Sequence, residues 1–449
     1  MNDYYKHSQW QPLLAAIFIV LSAFTQATAQ TDVTSKIVNS NFDGRSFAGW
    51  QQQGLWFQTN SSFEGKSNYA YVEQWVQSPG KLTDPYIRQT LTGLAKGRYT
   101  LTVAAHHTQN GEPARGCYLF ADWQERGVST YADYSLTFDV LTDDVTIGIR
   151  CQNSAANWFA CDNWRLTLES TDVSYLRTGL SNLISSAQTI EADVTDASVK
   201  SMLADAISDA QRYTSDGSAT NISAVATTLK EAMLLAERSM FAAKTSATSG
   251  VPRVTTDKRY ARGATAIFGR SIVDSPTDIL EQGFCYSTTN EKPTVADPRT
   301  TRYVENGGRI YCLDNLQPGT LYYIRAYAVT TSYQVGYGEA LRVYTLPKGN
   351  VTWSHEGGSD DEYQRIAQSI MSVAHYWSNL TSITGFAPSS HYGSGTPTAD
   401  CSYGGWIRVG PNESYQATGT LLHEAGHGIG VGTHSTYYGD IRTNNNTGY

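Results

Sequence analysis

The chain has 449 residues, 40% of them hydrophobic and 16% charged, which is long enough for three or four folded domains. Its formal net charge is −8 at pH 7, so it has no basic excess to hold a nucleic acid or an anionic membrane surface. The 29 tyrosines and 10 tryptophans favour β-sandwich structure and exposed surfaces for ring stacking.

The first apolar run, LLAAIFIVLSAF at residues 13–24, is too short to cross a bilayer. Lys6 precedes it, and the small residues ATA follow at 27–29. These features predict a secretory signal peptide over residues 1–29, cut after Ala29. Since no later run is long and apolar enough for a transmembrane segment, we expect an exported protein that is extracellular, periplasmic or attached to the surface of a bacterium.

Export permits disulfides between the cysteines. Cys151 with Cys161, and Cys285 with Cys312, fall inside single candidate domains and could pair, although spacing alone does not decide either bond. No pair has CxxC spacing, so a thiolate zinc site is not predicted. The six cysteines are Cys117, Cys151, Cys161, Cys285, Cys312 and Cys401.

Residues 30–170 carry short alternating runs separated by glycine and asparagine turns, which predict an all-β domain. Examples are RYTLTVAA at 98–105 and VTIGIRC at 145–151. With NSNFDG near the start and CDNWRLTL at 161–168, the segment resembles the jelly-roll sandwich of galactose-binding-like modules in secreted bacterial proteins. The resemblance implies a possible carbohydrate ligand. Either stacking on sugar rings or filling the sandwich core would explain the tryptophans Trp56, Trp75, Trp123 and Trp158.

Residues 171–245 change to helical spacing of apolar residues, which predicts a small three-helix bundle. The segment resembles the helical spacers of bacterial surface proteins. The predicted core stripes include Leu176, Leu180 and Ala187, then Val199, Met202 and Ala206, then Ile222, Leu229 and Met233.

Residues 246–347 return to strand alternation, with a turn at LQPGT. The pattern L-x-P-x-T-x-Y-Y-x-R-A-Y-A, from Leu316 to Ala328, resembles a fibronectin type III sandwich. Modules of that family position their neighbours, so we assign this segment no chemistry.

Residues 348–449 begin with a helix signal and end with a histidine motif. Ser359 and Glu362 form a predicted capping box, and a strand is predicted at residues 406–409. The motif HEAGHGIGVGTH then occupies residues 423–434. Its HExxH part places His423 and His427 on one helix face, as two ligands of one zinc ion require. Glu424 follows the first ligand and suits a general base that takes a proton from the attacking water.

This last segment resembles the metzincin zinc peptidases, whose pattern is HExxHxxGxxH, and more closely a group of exported bacterial metzincin-like domains that share GVGT after HExxH. His423, Glu424, His427 and Gly430 match. The third histidine comes one residue late, because Thr433 holds the family position and His434 follows it. We predict His434 as the third ligand; otherwise Tyr437, Tyr438, Asp440 or a residue further on completes the site.

The chain departs from the metzincin pattern in two further ways. No methionine follows the motif, so the family's Met-containing turn is absent, and only 15 residues follow His434. We expect that the peptidase-like domain is truncated. In metzincins the strand before the active-site helix is a sheet edge that pairs with extended substrate, and residues 404–410 are expected to be that strand.

The sequence therefore predicts a multidomain protein: a jelly-roll β-sandwich, a three-helix bundle, a fibronectin III-like sandwich and an α+β metzincin-like domain. The predicted function is a secreted Zn²⁺-dependent metallopeptidase that cuts a protein or glycoprotein substrate, with Glu424 as the base and no nucleic-acid partner. The alternative is a secreted glycan- or surface-binding protein with an inactive, incomplete peptidase-like domain.

Overall fold

The computed structural model describes residues 30–63, 69–275, 277–304 and 310–441. The predicted signal peptide, residues 1–29, lies outside the described residues. The described chain consists mostly of β-sandwich sheets with a few helices. No helix in these ranges is both long and apolar enough to pass through a membrane.

The first region, residues 30–170, folds as two antiparallel sheets packed face to face. One sheet has the order β10-β6-β12-β4-β3, with β1 on β12 and β7 on β6, and the other has the order β2-β5-β11-β8-β9. Alternate residues of both sheets, such as Leu101 and Ile147, fill the core. The strands are β1 (Thr31–Asp32), β2 (Gln51–Gln53), β3 (Trp56–Gln58), β4 (Tyr71–Trp75), β5 (Tyr86–Thr92), β6 (Gly97–Gln109), β7 (Glu112–Pro113), β8 (Cys117–Ala121), β9 (Gln124–Gly127), β10 (Ala132–Val140), β11 (Asp144–Cys151) and β12 (Trp158–Ser170).

Three helices follow, α1 (Val173–Asp193), α2 (Ala197–Gln211) and α3 (Ala219–Lys244), as the helical spacing predicts. Each begins after a capping side chain, Asp172, Asp196 or Ser218, that accepts a hydrogen bond from the first turn. The predicted stripe is wrong at one position. Met202 is half exposed and its neighbour Leu203 is buried, because the face of α2 that meets α3 is centred one residue later.

The third region, residues 246–347, contains two antiparallel sheets with the orders β13-β14-β18-β17 and β16-β15-β19-β20. Their facing side chains, such as Ile267 and Ile324, form a shared core. At the predicted LQPGT turn, the Gln317 amide donates to the Tyr322 hydroxyl (2.9 Å), a bond typical of the corner of immunoglobulin-like sandwiches. The strands are β13 (Arg253–Arg262), β14 (Ile267–Asp274), β15 (Ile279–Ser287), β16 (Arg299–Thr300), β17 (Tyr303–Val304), β18 (Ile310–Leu313), β19 (Leu321–Thr330) and β20 (Val335–Tyr344).

The last region packs two helices against a small sheet of order β22-β24-β26-β25, in which β25 alone is antiparallel. The predicted capping box of Ser359 and Glu362 begins α4 and is confirmed. Ile370 of α4, Ile407 of β26 and Leu421 of α5 meet in the core. The elements are β21 (Asn350–Val351), β22 (Ser354–Glu356), α4 (Asp360–Leu380), β23 (Thr384–Phe386), β24 (Ser389–Tyr392), β25 (Ala399–Ser402), β26 (Trp406–Val409) and α5 (Thr418–Gly428).

The predicted edge strand at residues 404–410 is wrong. The strand there, β26, is an inner strand that pairs with β24 on one side and β25 on the other. The chain reverses at Gly404 and Gly405, both with positive φ, and this hairpin places β25 at the edge instead.

The first region contacts the last region through a loop at residues 39–46. The Gly44 carbonyl accepts bonds from the Thr418 amide (3.1 Å) and hydroxyl (2.9 Å), at the first residue of α5. Arg45 donates to the Ser414 carbonyl (2.9 Å). A Cβ at Gly44 would lie 3.0 Å from Ser369 Oγ, so a larger side chain would push the two regions apart. We call this contact the Gly44 clamp.

Candidate functional sites

Helix α5 brings His423 and His427 together as the motif predicts. Their Nε2 atoms lie 3.2 Å apart, and the rings are perpendicular with centroids 4.8 Å apart. Two nitrogen ligands of a tetrahedral zinc ion, each bound at about 2.0–2.1 Å, lie about 3.3 Å from each other. The pair therefore fits two positions of a zinc site. We call α5 with its following loop the histidine helix.

The loop after α5 fixes the orientation of His427. Its Nδ1 lies 2.6 Å from the Val431 carbonyl, which suits a protonated Nδ1 and leaves Nε2 with a free lone pair. The loop turns sharply because Gly430 and Gly432 both have positive φ. A Cβ at Gly430 would lie 3.0 Å from the His434 Cβ, so the return of the chain toward His434 depends on that glycine.

His434 does not join the pair in the described structure. Its Nδ1 accepts a bond from the Thr436 amide (3.2 Å), and its ring packs on Tyr403 with centroids 4.7 Å apart. Among the described residues, His423, His427 and His434 do not form a group whose ligand atoms all lie within 4.8 Å of one another. The Tyr438 hydroxyl donates to the Gly432 carbonyl (2.6 Å), and the side chain of Asp440 lies outside the described residues. The third ligand stays a prediction.

Glu424 lies on the buried side of α5 and is 8% exposed. Burial raises the pKa of its carboxyl group above the usual value, while His423 and His427 oppose that shift. Strand β25 faces it: burial and then the Glu424 charge raise the pKa of the Cys401 thiol to about 12. An acid in this position can hold a proton at the base of the histidine pair.

A second candidate site lies on the outer face of the first region's larger sheet. Trp56 pairs directly with Glu73, and Trp75 pairs directly with Trp158. Glu73 and Trp75 are two residues apart on β4, so all four side chains share one face of the sheet. We call these four residues the aromatic face.

Glu73 holds the aromatic face together. One of its oxygens accepts from the Trp158 indole (2.9 Å), and the other accepts from the Trp56 indole and the Gln58 amide (3.3 Å each). Because a carboxylate with indole donors on both oxygens fixes the planes of both rings, the rings are oriented before any ligand arrives.

The aromatic face is partly open to solvent and firmly supported beneath. Trp75 is 52% exposed and Trp56 is 42% exposed. Trp158 is half-buried and packs on the buried ring of His106, with centroids 4.2 Å apart. Burial, and then the neighbouring His107, lower the pKa of His106 to about 4, so this ring is neutral near pH 7. The face is therefore a partly open stacking surface whose rings are held by one carboxylate.

Trp123 does not belong to the aromatic face. Its ring packs against the three-helix region and its indole donates to Glu237 of α3 (3.2 Å). Of the two alternatives that the sequence left open for Trp123, this packing fits a structural role at the rim of the sandwich. Glu73 was missed, although the alternation of Tyr71, Glu73 and Trp75 is a period-2 signal for a shared face.

The cysteines form no disulfide among the described residues. Cys151 lies opposite Cys117 in the β8–β11 register, not opposite Cys161 as one of the open pairings had it. His107 joins them, and the three ligand atoms lie within 4.8 Å of one another in the buried core. His107 also contacts Ser154 Oγ through Nε2 (2.9 Å). This group was missed because three separate strands supply it and no sequence spacing marks it.

Comparisons with known proteins return weak likenesses only. No family model matches the chain, and no curated protein matches it. Among solved structures, TmCBM61 in complex with β-1,4-galactotriose is 16% identical over 29% of this chain and 96% of its own, with a TM-score of 0.25. A family 35 carbohydrate-binding module from Clostridium thermocellum is 10% identical over 27% of this chain and 92% of its own, with a TM-score of 0.21. The K1 adhesin domain of Lys-gingipain from Porphyromonas gingivalis is 11% identical over 31% of this chain and 99% of its own, with a TM-score of 0.24. These likenesses assign no activity to this chain.

Proposed function

We propose that this protein binds carbohydrate through the aromatic face. The observation that carries the proposal is the set of three indoles on one sheet face, two of them exposed and two held by Glu73. The faces of sugar rings present C–H groups, which pack against flat aromatic rings, while their hydroxyls remain free for polar contacts.

Glu73 acts as the positioning residue of this site. Both of its oxygens already accept bonds from indoles, so its role is to hold the rings and not to replace the hydroxyl contacts of a sugar. Gln58, which shares the second oxygen, lies beside Trp56 on the same strand and can present its amide to a ligand.

A glycan array probed with the full chain, followed by titration of the best oligosaccharide, tests this function. We expect the double variant Trp56→Ala/Trp75→Ala to lose at least about tenfold in affinity, since each exposed ring contributes of the order of 1 kcal/mol of stacking. The matched control is Trp353→Ala, an exposed tryptophan of the last region that is 40% exposed. Equal binding by parent and double variant would exclude the aromatic face.

A second function has its own support. We propose that the last region is a metzincin-like zinc peptidase site in which His423 and His427, with His434 as the predicted third ligand, hold the metal. The supporting observation is the 3.2 Å separation of the two Nε2 atoms beside Glu424. When bound, zinc polarises the substrate carbonyl. Glu424 takes the proton of the attacking water and later delivers it to the leaving amine.

An extended peptide fits the edge of this region's sheet. Strand β25 pairs only with β26 among the described residues, so no described strand pairs with its other edge. A substrate strand added there would run beside Glu424, because β25 packs against α5. This assigns to residues 399–402 the substrate contact that the sequence placed at residues 404–410.

Zinc content and peptide hydrolysis, measured on the same samples, test the second function. We expect Glu424→Gln to keep zinc and to lower the hydrolysis rate at least about a hundredfold. Glu339→Gln, which changes an exposed acid of β20, is the matched control. Hydrolysis at the parent rate in the Glu424 variant would refute the assigned base. Zinc binding without hydrolysis in the parent would leave carbohydrate binding as the function.

We also propose the arrangement in which these sites work. A jelly-roll sandwich, a helical spacer and a fibronectin III-like sandwich precede the metzincin-like domain in an exported protein that acts outside the cell, in the periplasm or at the cell surface. The signal-peptide pattern at residues 1–29 supports export, and N-terminal sequencing of the mature protein tests it, with Gln30 expected as the first residue.

A further inference from the structure

A cleft of about 600 Å³ lies where three regions meet. The first region lines it with side chains of β5, β8 and β11, helix α3 contributes Arg238, and the third region contributes residues of β15 and β16. It is separate from both sites described above, and no residue of the aromatic face or the histidine helix lines it.

The lining of this cleft is basic in a protein whose net charge is −8. Four arginines line it, and Glu281 is the only carboxylate among the described lining residues. The arginines are Arg88, Arg150, Arg238 and Arg299. We call it the arginine cleft. Low-dielectric walls with charges of one sign attract ligands of the opposite sign.

Two of the four arginines are neutralised by carboxylates. Arg299 donates to Glu281 (2.8 Å), and Arg150 pairs with Glu125. The other two have no carboxylate partner among the described residues. Arg88 donates to the neutral amide of Gln51 (2.7 Å), and Arg238 Nε is buried with no hydrogen-bond partner. Burial lowers the pKa of Arg238, while the nearby Tyr286 and Asp297 oppose that shift.

A buried N–H group without a partner is costly to a folded protein, and a ligand that accepts a hydrogen bond from Arg238 Nε would remove that cost. Aromatic rings form the walls beside it: Tyr86, whose ring lies under Arg88 (5.5 Å), Phe120 and Tyr286. Burial raises the pKa of Tyr286 to about 12, so its hydroxyl stays a hydrogen-bond donor at neutral pH.

We propose that the arginine cleft binds an acidic saccharide, with the carboxylate or sulfate group on Arg88 and Arg238 and the sugar ring against Tyr86 and Tyr286. Guanidinium groups match planar carboxylates and sulfates through paired N–H donors, and the rings supply the apolar wall that a free inorganic ion would not use. This site is independent of the aromatic face, which contains no cation.

Calorimetric titration of the full chain tests this with trigalacturonate, a sulfated chondroitin disaccharide, neutral galactotriose and inorganic phosphate. We expect at least one acidic saccharide to bind, with an affinity that falls as salt is raised and with at least tenfold weaker binding in both Arg88→Gln and Arg238→Gln. Arg212→Gln, which changes the exposed arginine directly after α2, is the matched control. Trp56→Ala/Trp75→Ala should not change binding in the cleft.

Thermal unfolding separates this role from a structural one. Because Arg238 Nε has no hydrogen-bond partner among the described residues, Arg238→Gln should leave the melting temperature of the ligand-free protein unchanged or raise it while weakening ligand binding. A lower melting temperature with unchanged affinity would overturn the proposal. Binding of phosphate as tight as that of either saccharide would overturn the saccharide assignment, as would binding of neither acidic probe.

Discussion

The aromatic face and the histidine helix place their side chains by different means. On the aromatic face, strand register alone aligns the three indoles and Glu73, and hydrogen bonds to Glu73 then fix two of the rings. On the histidine helix, the 3.6-residue period aligns His423 and His427, whereas His434, the predicted third ligand, lies beyond a loop that turns on two glycines. Regular structure alone forms the aromatic face, whereas the place of His434 in the second candidate site depends on the conformation of a loop.

Removing one histidine tests how far the helix alone determines metal binding. Loss of an outer-shell partner weakens metal sites about 10–100-fold, so His427→Ala should weaken zinc binding by more than about a hundredfold. Because His434 packs on Tyr403 and bonds to Thr436, His434→Ala should have a smaller effect. Competition with a chromophoric chelator measures both. Equal losses would show that the loop rearranges to complete the site, and the contrast with the aromatic face would disappear.

Changing Glu73 tests whether the aromatic face is preorganised. Glu73→Gln keeps the shape but replaces an acceptor with a donor that faces an indole N–H, so we expect it to lower the free energy of unfolding by about 1–3 kcal/mol and to weaken glycan binding. Urea unfolding and glycan titration measure the two effects, with the exposed Glu112→Gln as the control. Unchanged values in both measurements would mean that packing alone orients the rings.

His106, beneath the aromatic face, makes the stability of the first region depend on pH. His106, under Trp158, is buried with a pKa of about 4, below the ordinary value of 6.5. Folding favours the neutral form of the ring. The contribution of His106 to the free energy of unfolding is therefore fully present above pH 6.5 and is lost as the pH falls toward 4. We expect about 1–2 kcal/mol of this loss by pH 5, visible as a smaller pH dependence of unfolding in His106→Gln than in the parent. Parallel pH curves for parent and variant would contradict the burial argument.

Gly430 gives the smallest expected effect. Its φ of +109° strains any other residue, and a Cβ there would press on the His434 Cβ. Gly430→Ala should cost about 1 kcal/mol, confined to the loop. Hydrogen exchange should show faster exchange at residues 429–434 and no change in β4 or β12. Gly439→Ala is the control, since a Cβ there meets nothing within 4 Å.

The sequence predicts the regular elements well and the convergence of side chains poorly. Helix spacing and caps locate α1 to α4, and the HExxH pattern places His423 and His427 correctly, because these signals are local and repeat along one element. The position of β26 inside its sheet was missed, since the hairpin at Gly404 joins it to a further strand, β25, which pairs with its outer side.

Contacts between elements account for the other misses. The alignment of Trp75 with Trp158 joins residues 83 positions apart, and their register depends on how several strands pack together. The grouping of His107 with Cys117 and Cys151 has the same origin. Trp123 could not be distinguished from the other tryptophans, because its packing against α3 is a contact between residues 114 positions apart.

The Gly44 clamp joins residues 374 positions apart and thereby brings the first and last regions into direct contact. A single cut in the third region should therefore leave two fragments that remain attached. The clamp also connects the region that carries the aromatic face directly to the region that carries the histidine helix. If both proposed functions operate, the two sites act from one molecule. Binding of the sandwich to a glycan would then limit the histidine helix to peptide bonds near the bound sugar.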